Sequence, residues 1–186
     1  ISRRCRLGAA FTLLGQGVPF FLAGEEILRS KPLGKGLFDE NSYRSPDSVN
    51  AIKWSDMEDK LYSDNLKYYK GLIAFRKKHK CLRQTARDHV LSSIKPIPCS
   101  DPHTLIFRLR DEQENLMIIF NNGTRSACIS LPEGVWGQCI NDTEAGTEPI
   151  CFVTGIVNIP PLSAAVFVQD RNNLTNVVAA MICHKG

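Results

Sequence analysis

No run of apolar residues in this sequence approaches the roughly 20 needed to cross a bilayer, so no membrane-spanning helix is expected. It also lacks a CxxC pair, HxxxH or HExxH spacing, and a Gly-x-Ser-x-Gly turn. These absences argue against a zinc centre, a dithiol redox motif and a hydrolase nucleophile elbow. No metal or other cofactor is expected. Excess charge of one sign is missing too: 23 Lys and Arg against 19 Asp and Glu leave a net +4. That is too mild for nucleic-acid binding, which shows as a clustered basic face. The densest basic run, Arg76 to Lys80, closes an expected helix, where cations complement the macrodipole. Neither nucleic acid nor a membrane is expected as a partner.

The 186 residues are 43% hydrophobic and 23% charged, an ordinary globular composition that excludes disordered and collagenous chains. A core of useful size is possible, but the chain is short for a TIM barrel, which takes about 250 residues. Seven cysteines occur, an odd number, mostly inside apolar runs. Buried reduced thiols are the preferred reading, and one disulfide among the later cysteines stays open. Three Asn-x-Thr motifs, at Asn122, Asn141 and Asn173, are of a kind that arises often by chance. The chain opens on Ile1 without Met, and the first turn of its first expected helix is basic, against the dipole. Both features lead us to expect polypeptide upstream, and the compartment stays open.

Residues 2–16 read as a helix, with Leu7, Ala10, Phe11 and Leu14 at helical spacing. After Gly15-Gln16-Gly17, the apolar run from Val18 to Gly24 reads as a strand buried on both faces, with Pro19 at its start. Residues 25–58 look mostly irregular, and a loop that long is usually functional or disordered. Tyr43, Ile52 and Trp54 argue for order. A second helix is expected from Asp59 or Asp64 to His79, with Ser63 or Asp64 as its cap, and a short one after Thr85. From residue 96 the pattern becomes a series of short strands: 104–110, 115–120, 126–131, 135–140, 150–154, 156–159 and 164–169. This series predicts an antiparallel β-sandwich. Val177 to Ile182 reads equally as strand or helix.

Glu25 and Glu26 follow the expected strand directly, where α/β barrels keep their active sites. Paired carboxylates invite a glycosidase reading, but adjacent residues cannot flank one bond at the required separation of about 5 Å. Hydrogen bonding to nearby loop backbone is the expected role. The segment Asp39 to Tyr43, with Asp47, Asn50 and Trp54, is the most polar and aromatic part of the loop. Asn and Asp can bond sugar hydroxyls, and Tyr or Trp can stack on a sugar ring. The same residues would equally suit a loop that caps itself through Asx turns.

Gln16-Gly-Val-Pro-Phe-Phe-Leu-Ala-Gly-Glu-Glu-Ile-Leu-Arg-Ser-Lys31 and Glu40-Asn-Ser-Tyr-Arg-Ser-Pro-Asp-Ser-Val-Asn-Ala-Ile-Lys-Trp54 closely resemble type I pullulanases. These are debranching enzymes of the α-amylase superfamily. Leu72-Ile-Ala-Phe-Arg76 also resembles the family's last barrel helix. Glu25 departs from the family's usual Gln. The resemblance implies an α+β chain. Residues 1–95 would be the end of a TIM (β/α)8 barrel (helix, last strand at 17–24, long loop, helix). Residues 96–186 would form the antiparallel β-sandwich. It also implies that Arg29, Asn41, Tyr43, Asp47 and Asn50 are candidate substrate-side or loop-holding residues. The family's catalytic carboxylates sit on earlier barrel strands, so none is expected in this chain, which should be inactive alone. The parent's partner would be an α-glucan, and the exposed barrel remnant invites self-association. The alternatives are a stand-alone carbohydrate-binding or structural module, with Trp136 and Phe152 as its aromatics, or a fragment of an isoamylase-type or glycogen-debranching enzyme.

Overall fold

The computed structural model describes residues 2–170. The expectations for Val177 to Ile182 and for Asn173 lie outside them. Helix α1 (Ser2–Leu14) buries Ala9, Ala10, Leu13 and Leu14. Phe11 is more exposed than its spacing predicts, but its ring still meets Phe120 edge-on at 5.2 Å. The basic first turn finds its anions in a distant turn. Arg3 pairs with Asp142 at 2.9 Å, and Arg6 donates to the Asp142 and Thr143 carbonyls.

Helix α3 (Lys60–Lys78) runs beside α1 and is the longest element. Asp59 caps it by accepting from the Leu61 amide at 2.7 Å. Ser63 and Asp64 lie inside the helix, so neither is the cap; Asp64 instead pairs with Lys60 one turn back. Asn65, Tyr68, Tyr69, Leu72, Phe75 and Arg76 form the buried face. The three-to-four-residue spacing of this face is what an amphipathic helix requires. Arg76 is the unexpected member. Its guanidinium donates to the carbonyls of Leu13, Gly15 and Gly17, so it satisfies the orphan end of α1.

Between the two helices the chain is short turns, the small hairpin β1 (Pro32–Gly34) and β2 (Leu37–Phe38), and the one-turn helix α2 (Asp47–Asn50). The strand expected at Val18 to Gly24 does not form. Val18 is 96% exposed and Phe20 89%, and only Phe21 reaches the core, edge-on to Tyr69. A strand buried on both faces needs hydrogen-bonded neighbours on both sides. Among the described residues no strand offers itself here.

After α4 (Arg87–Ser93) the chain is antiparallel β. β3 (Ile94–Ile97), β4 (Thr104–Arg110), β5 (Glu114–Asn121), β10 (Ser163–Asp170), β7 (Trp136–Ile140) and β8 (Cys151–Val153) form one six-stranded sheet in that spatial order. β6 (Ala127–Ser130) and β9 (Ile156–Ile159) pair separately. Alternation along β5 decides what lies on each face. Leu116, Ile118 and Phe120 point to α1 and α3, while Met117 and Ile119 join Trp136, Ile129 and Ile159 on the other side. Two apolar clusters thus lie on opposite faces of one sheet. Among the described residues no helix is long and apolar enough to cross a membrane.

Candidate functional site

The loop between α1 and α3 holds every candidate residue. It begins with a tight turn at Gly24, whose φ of 98° is open to glycine but strained for other residues. A side chain there would also collide with Arg29, since a β-carbon would stand 2.8 Å from the Arg29 Cβ. The Arg29 amide closes the turn on the Gly24 carbonyl at 2.8 Å. Glu25 accepts from the Leu22 amide and Glu26 from the Gly24 amide, at 3.0 and 2.8 Å. Both carboxylates thus hold loop backbone. The fully buried Asn65 of α3 donates to the Glu26 carbonyl at 3.0 Å and ties this turn to the helix.

The second half of the loop is wired in the same way. Asp39 accepts from the Asn41 amide at 2.9 Å and from the Ser45 hydroxyl. These bonds, the Ser45 hydroxyl foremost, hold the Asp39 carboxyl below its usual range. Lys31 bonds the buried Ser42 hydroxyl. Asn50 donates to the Ser42 and Ser45 carbonyls at 2.6 and 2.9 Å, drawing α2 onto the preceding turn.

The five candidates therefore separate. Asn50 is a loop-holding residue, its side chain bonded to its own loop, whereas Arg29 joins the loop through its backbone amide. Asn41 and Asp47 are exposed and join the backbone scaffold through the Asn41 amide and the Asp47 carbonyl. Tyr43 is 73% exposed, with the Arg44 guanidinium over its ring at 5.2 Å. Trp54, on the same loop, is also exposed. The sequence reading does not single out Asn65, and it takes Arg76 as a helix-end cation rather than a buried donor. Their signal was present: both fall on the buried face of α3, where an unpaired polar side chain would be costly.

No protein-family model matches the chain. The pullulanase of Bacillus subtilis (strain 168) is 31% identical over 137 residues, which cover 71% of this chain and 18% of that protein. The chain is a pullulanase homologue. It spans under one fifth of the length of that relative. Among solved structures, the pullulanase from Bacillus acidopullulyticus superposes with a TM-score of 0.81 at 28% identity, over 90% of this chain and 20% of the other. The pullulanase of Anoxybacillus sp. LM18-11, solved with maltotetraose, gives a TM-score of 0.77 at 26% identity, over 90% of this chain and 23% of its own. Another relative, 36% identical over 81 residues, is the isoamylase of a Flavobacterium species. Of the two aromatics that a stand-alone glucan-binding module would use, Trp136 is fully buried and donates its ring N–H to the Pro132 carbonyl, whereas Phe152 is exposed.

Proposed function

We propose that this chain is the C-terminal part of a pullulanase-like glycoside hydrolase that cleaves α-1,6 branch linkages in pullulan, starch or glycogen. Residues 1–95 supply the end of the (β/α)8 barrel, and the described residues from 96 onward form a β-sandwich packed against it. The catalytic carboxylates lie on barrel strands outside this chain, so the chain alone turns over no substrate. One observation carries this reading. Val18, Phe20 and Leu22 alternate along a segment without regular secondary structure and are all exposed. That pattern suits a strand whose neighbours are supplied by other polypeptide. The segment lies where the resemblance to pullulanases puts the last barrel strand, and α1 and α3 flank it as barrel helices would.

In this reading the loop 25–58 stands at the sugar-facing end of the barrel. Glu25, Glu26, Asn50 and Asn65 fix its path, and Tyr43 is the candidate to meet glucan, with Asn41, Asp47 and Arg29 on the same loop. Alone, the chain uses the same exposed edge to associate with a second copy. The test is reducing-end release from pullulan by the chain alone, and by the chain joined to the polypeptide that precedes it in the parent.

A further inference from the structure

Asn65 is a polar residue that the packing of α3 does not require. It is fully buried inside the helix, where asparagine is a weaker helix former than leucine. Its Oδ1 is buried with no hydrogen-bond partner among the described residues, which is a further cost. Against these costs stand two bonds. Nδ2 donates to the Glu26 carbonyl at 3.0 Å and to the Glu25 carbonyl at 3.4 Å. Only the nitrogen end of a carboxamide can face two carbonyls, so the group cannot turn round to pair its oxygen instead.

Both carbonyls belong to the turn from Gly24 to Arg29, which the Ile27, Leu28 and Arg29 amides close on itself. Hydrogen bonds continue from that turn. Two residues on, the Lys31 carbonyl accepts from the Asp39 amide at 2.9 Å, and the Lys31 ammonium bonds the Ser42 hydroxyl. The Ser42 carbonyl in turn accepts from Asn50. Tyr43 follows Ser42 directly. Asn65 thus stands at the buried end of a bonded path whose exposed end is Tyr43.

We propose that Asn65 is a positioning residue for glucan binding: from inside α3 it sets the place of the loop 25–58, and through the loop the place of Tyr43. This rests on the reading of the loop as the sugar-facing end of the barrel. Asn65 itself touches no substrate, and bond cleavage belongs to carboxylates outside this chain. Contacts to sugar rings away from the reacting bond hold the ground state and the transition state alike. Loss of their alignment therefore raises KM and spares kcat.

Asn65→Leu tests this, because it keeps the branched shape, removes the unpaired oxygen and deletes both bonds. Asn65→Ala deletes the same bonds without adding bulk. In the chain alone, amide hydrogen exchange at Ile27, Leu28 and Arg29 should quicken about tenfold in either variant, with the Tyr69 to Phe75 amides of α3 unchanged. In the chain joined to the polypeptide that precedes it in the parent, KM for pullulan should rise roughly three- to tenfold, with kcat within about twofold. Exchange that quickens along α3 as much as in the turn would show a merely structural residue and overturn the proposal. So would unchanged exchange in the turn, or an unchanged KM in an active joined enzyme. An unaltered joined protein that is inert sinks the debranching reading itself, and the glucan role of Asn65 with it.

Discussion

Gly71 on α3 lies so close to Ala145 that a β-carbon on it would stand 1.9 Å from the Ala145 carbonyl oxygen. The helix and the turn after β7 are in backbone contact, which only glycine permits. Gly71→Ala should therefore destabilise the fold. Helix propensity favours alanine by about 1 kcal/mol. The displaced backbone costs more, so a net loss of about 1–3 kcal/mol is expected. Urea denaturation measures it, and a rise in midpoint would show that the turn yields freely.

Arg76 is the second point at which α3 holds its surroundings. One guanidinium bonds three carbonyls, at the end of α1 and at Gly17. Burial lowers its pKa but leaves it charged at neutral pH. Arg76→Ala should cost about 2–4 kcal/mol, because a charged donor is lost and buried carbonyls are left unpaired. Arg76→Lys should restore little, since an ammonium lacks the planar fork. Thermal melts of the two variants check this.

These two contacts show where sequence reasoning stopped. The β-strands after residue 104 were legible to within two residues, because alternation and turn residues are local signals. Helices α1, α3 and α4 were legible for the same reason, whereas the one-turn α2 falls in a stretch that reads as irregular. The segment from Val18 to Gly24 has the composition of a buried strand, but burial depends on neighbours that none of the described strands supplies. The exposed thiols Cys128 and Cys151 were misread likewise: their apolar context suggested burial, but they lie on outward faces. The loop residues Arg29, Asn41, Tyr43, Asp47 and Asn50 were legible as a group. Their division into holders and exposed side chains required hydrogen bonds that no spacing encodes.

The loop offers a pH test. Asp39 ionises more easily in the folded loop than its ordinary value of 3.8. A carboxyl with a lowered folded pKa stabilises above its unfolded value, and that contribution disappears as pH falls through the folded value. Protection of residues 39–50 from an acid protease should therefore be intact at neutral pH and fade below about pH 4. An NMR titration should place Asp39 below an exposed aspartate. Asn50→Ala should remove the protection at every pH, whereas Asn41→Ala, which keeps its amide, should change little.

Val18 and Phe20 test the exposed edge. Replacing both with Lys should leave the stability of the isolated chain within about 0.5 kcal/mol, as expected for exposed positions. It should abolish concentration-dependent association in sedimentation experiments. Association that survives the double substitution would place the contact elsewhere.

The most direct test of the account is the release of reducing ends from pullulan. The 186-residue chain alone should release none above the buffer rate. The same chain joined to the roughly 250 residues or more that complete a barrel upstream should release them catalytically. Turnover by the chain alone, or an inert product from the joined and folded protein, would contradict its role as the C-terminal part of a debranching hydrolase.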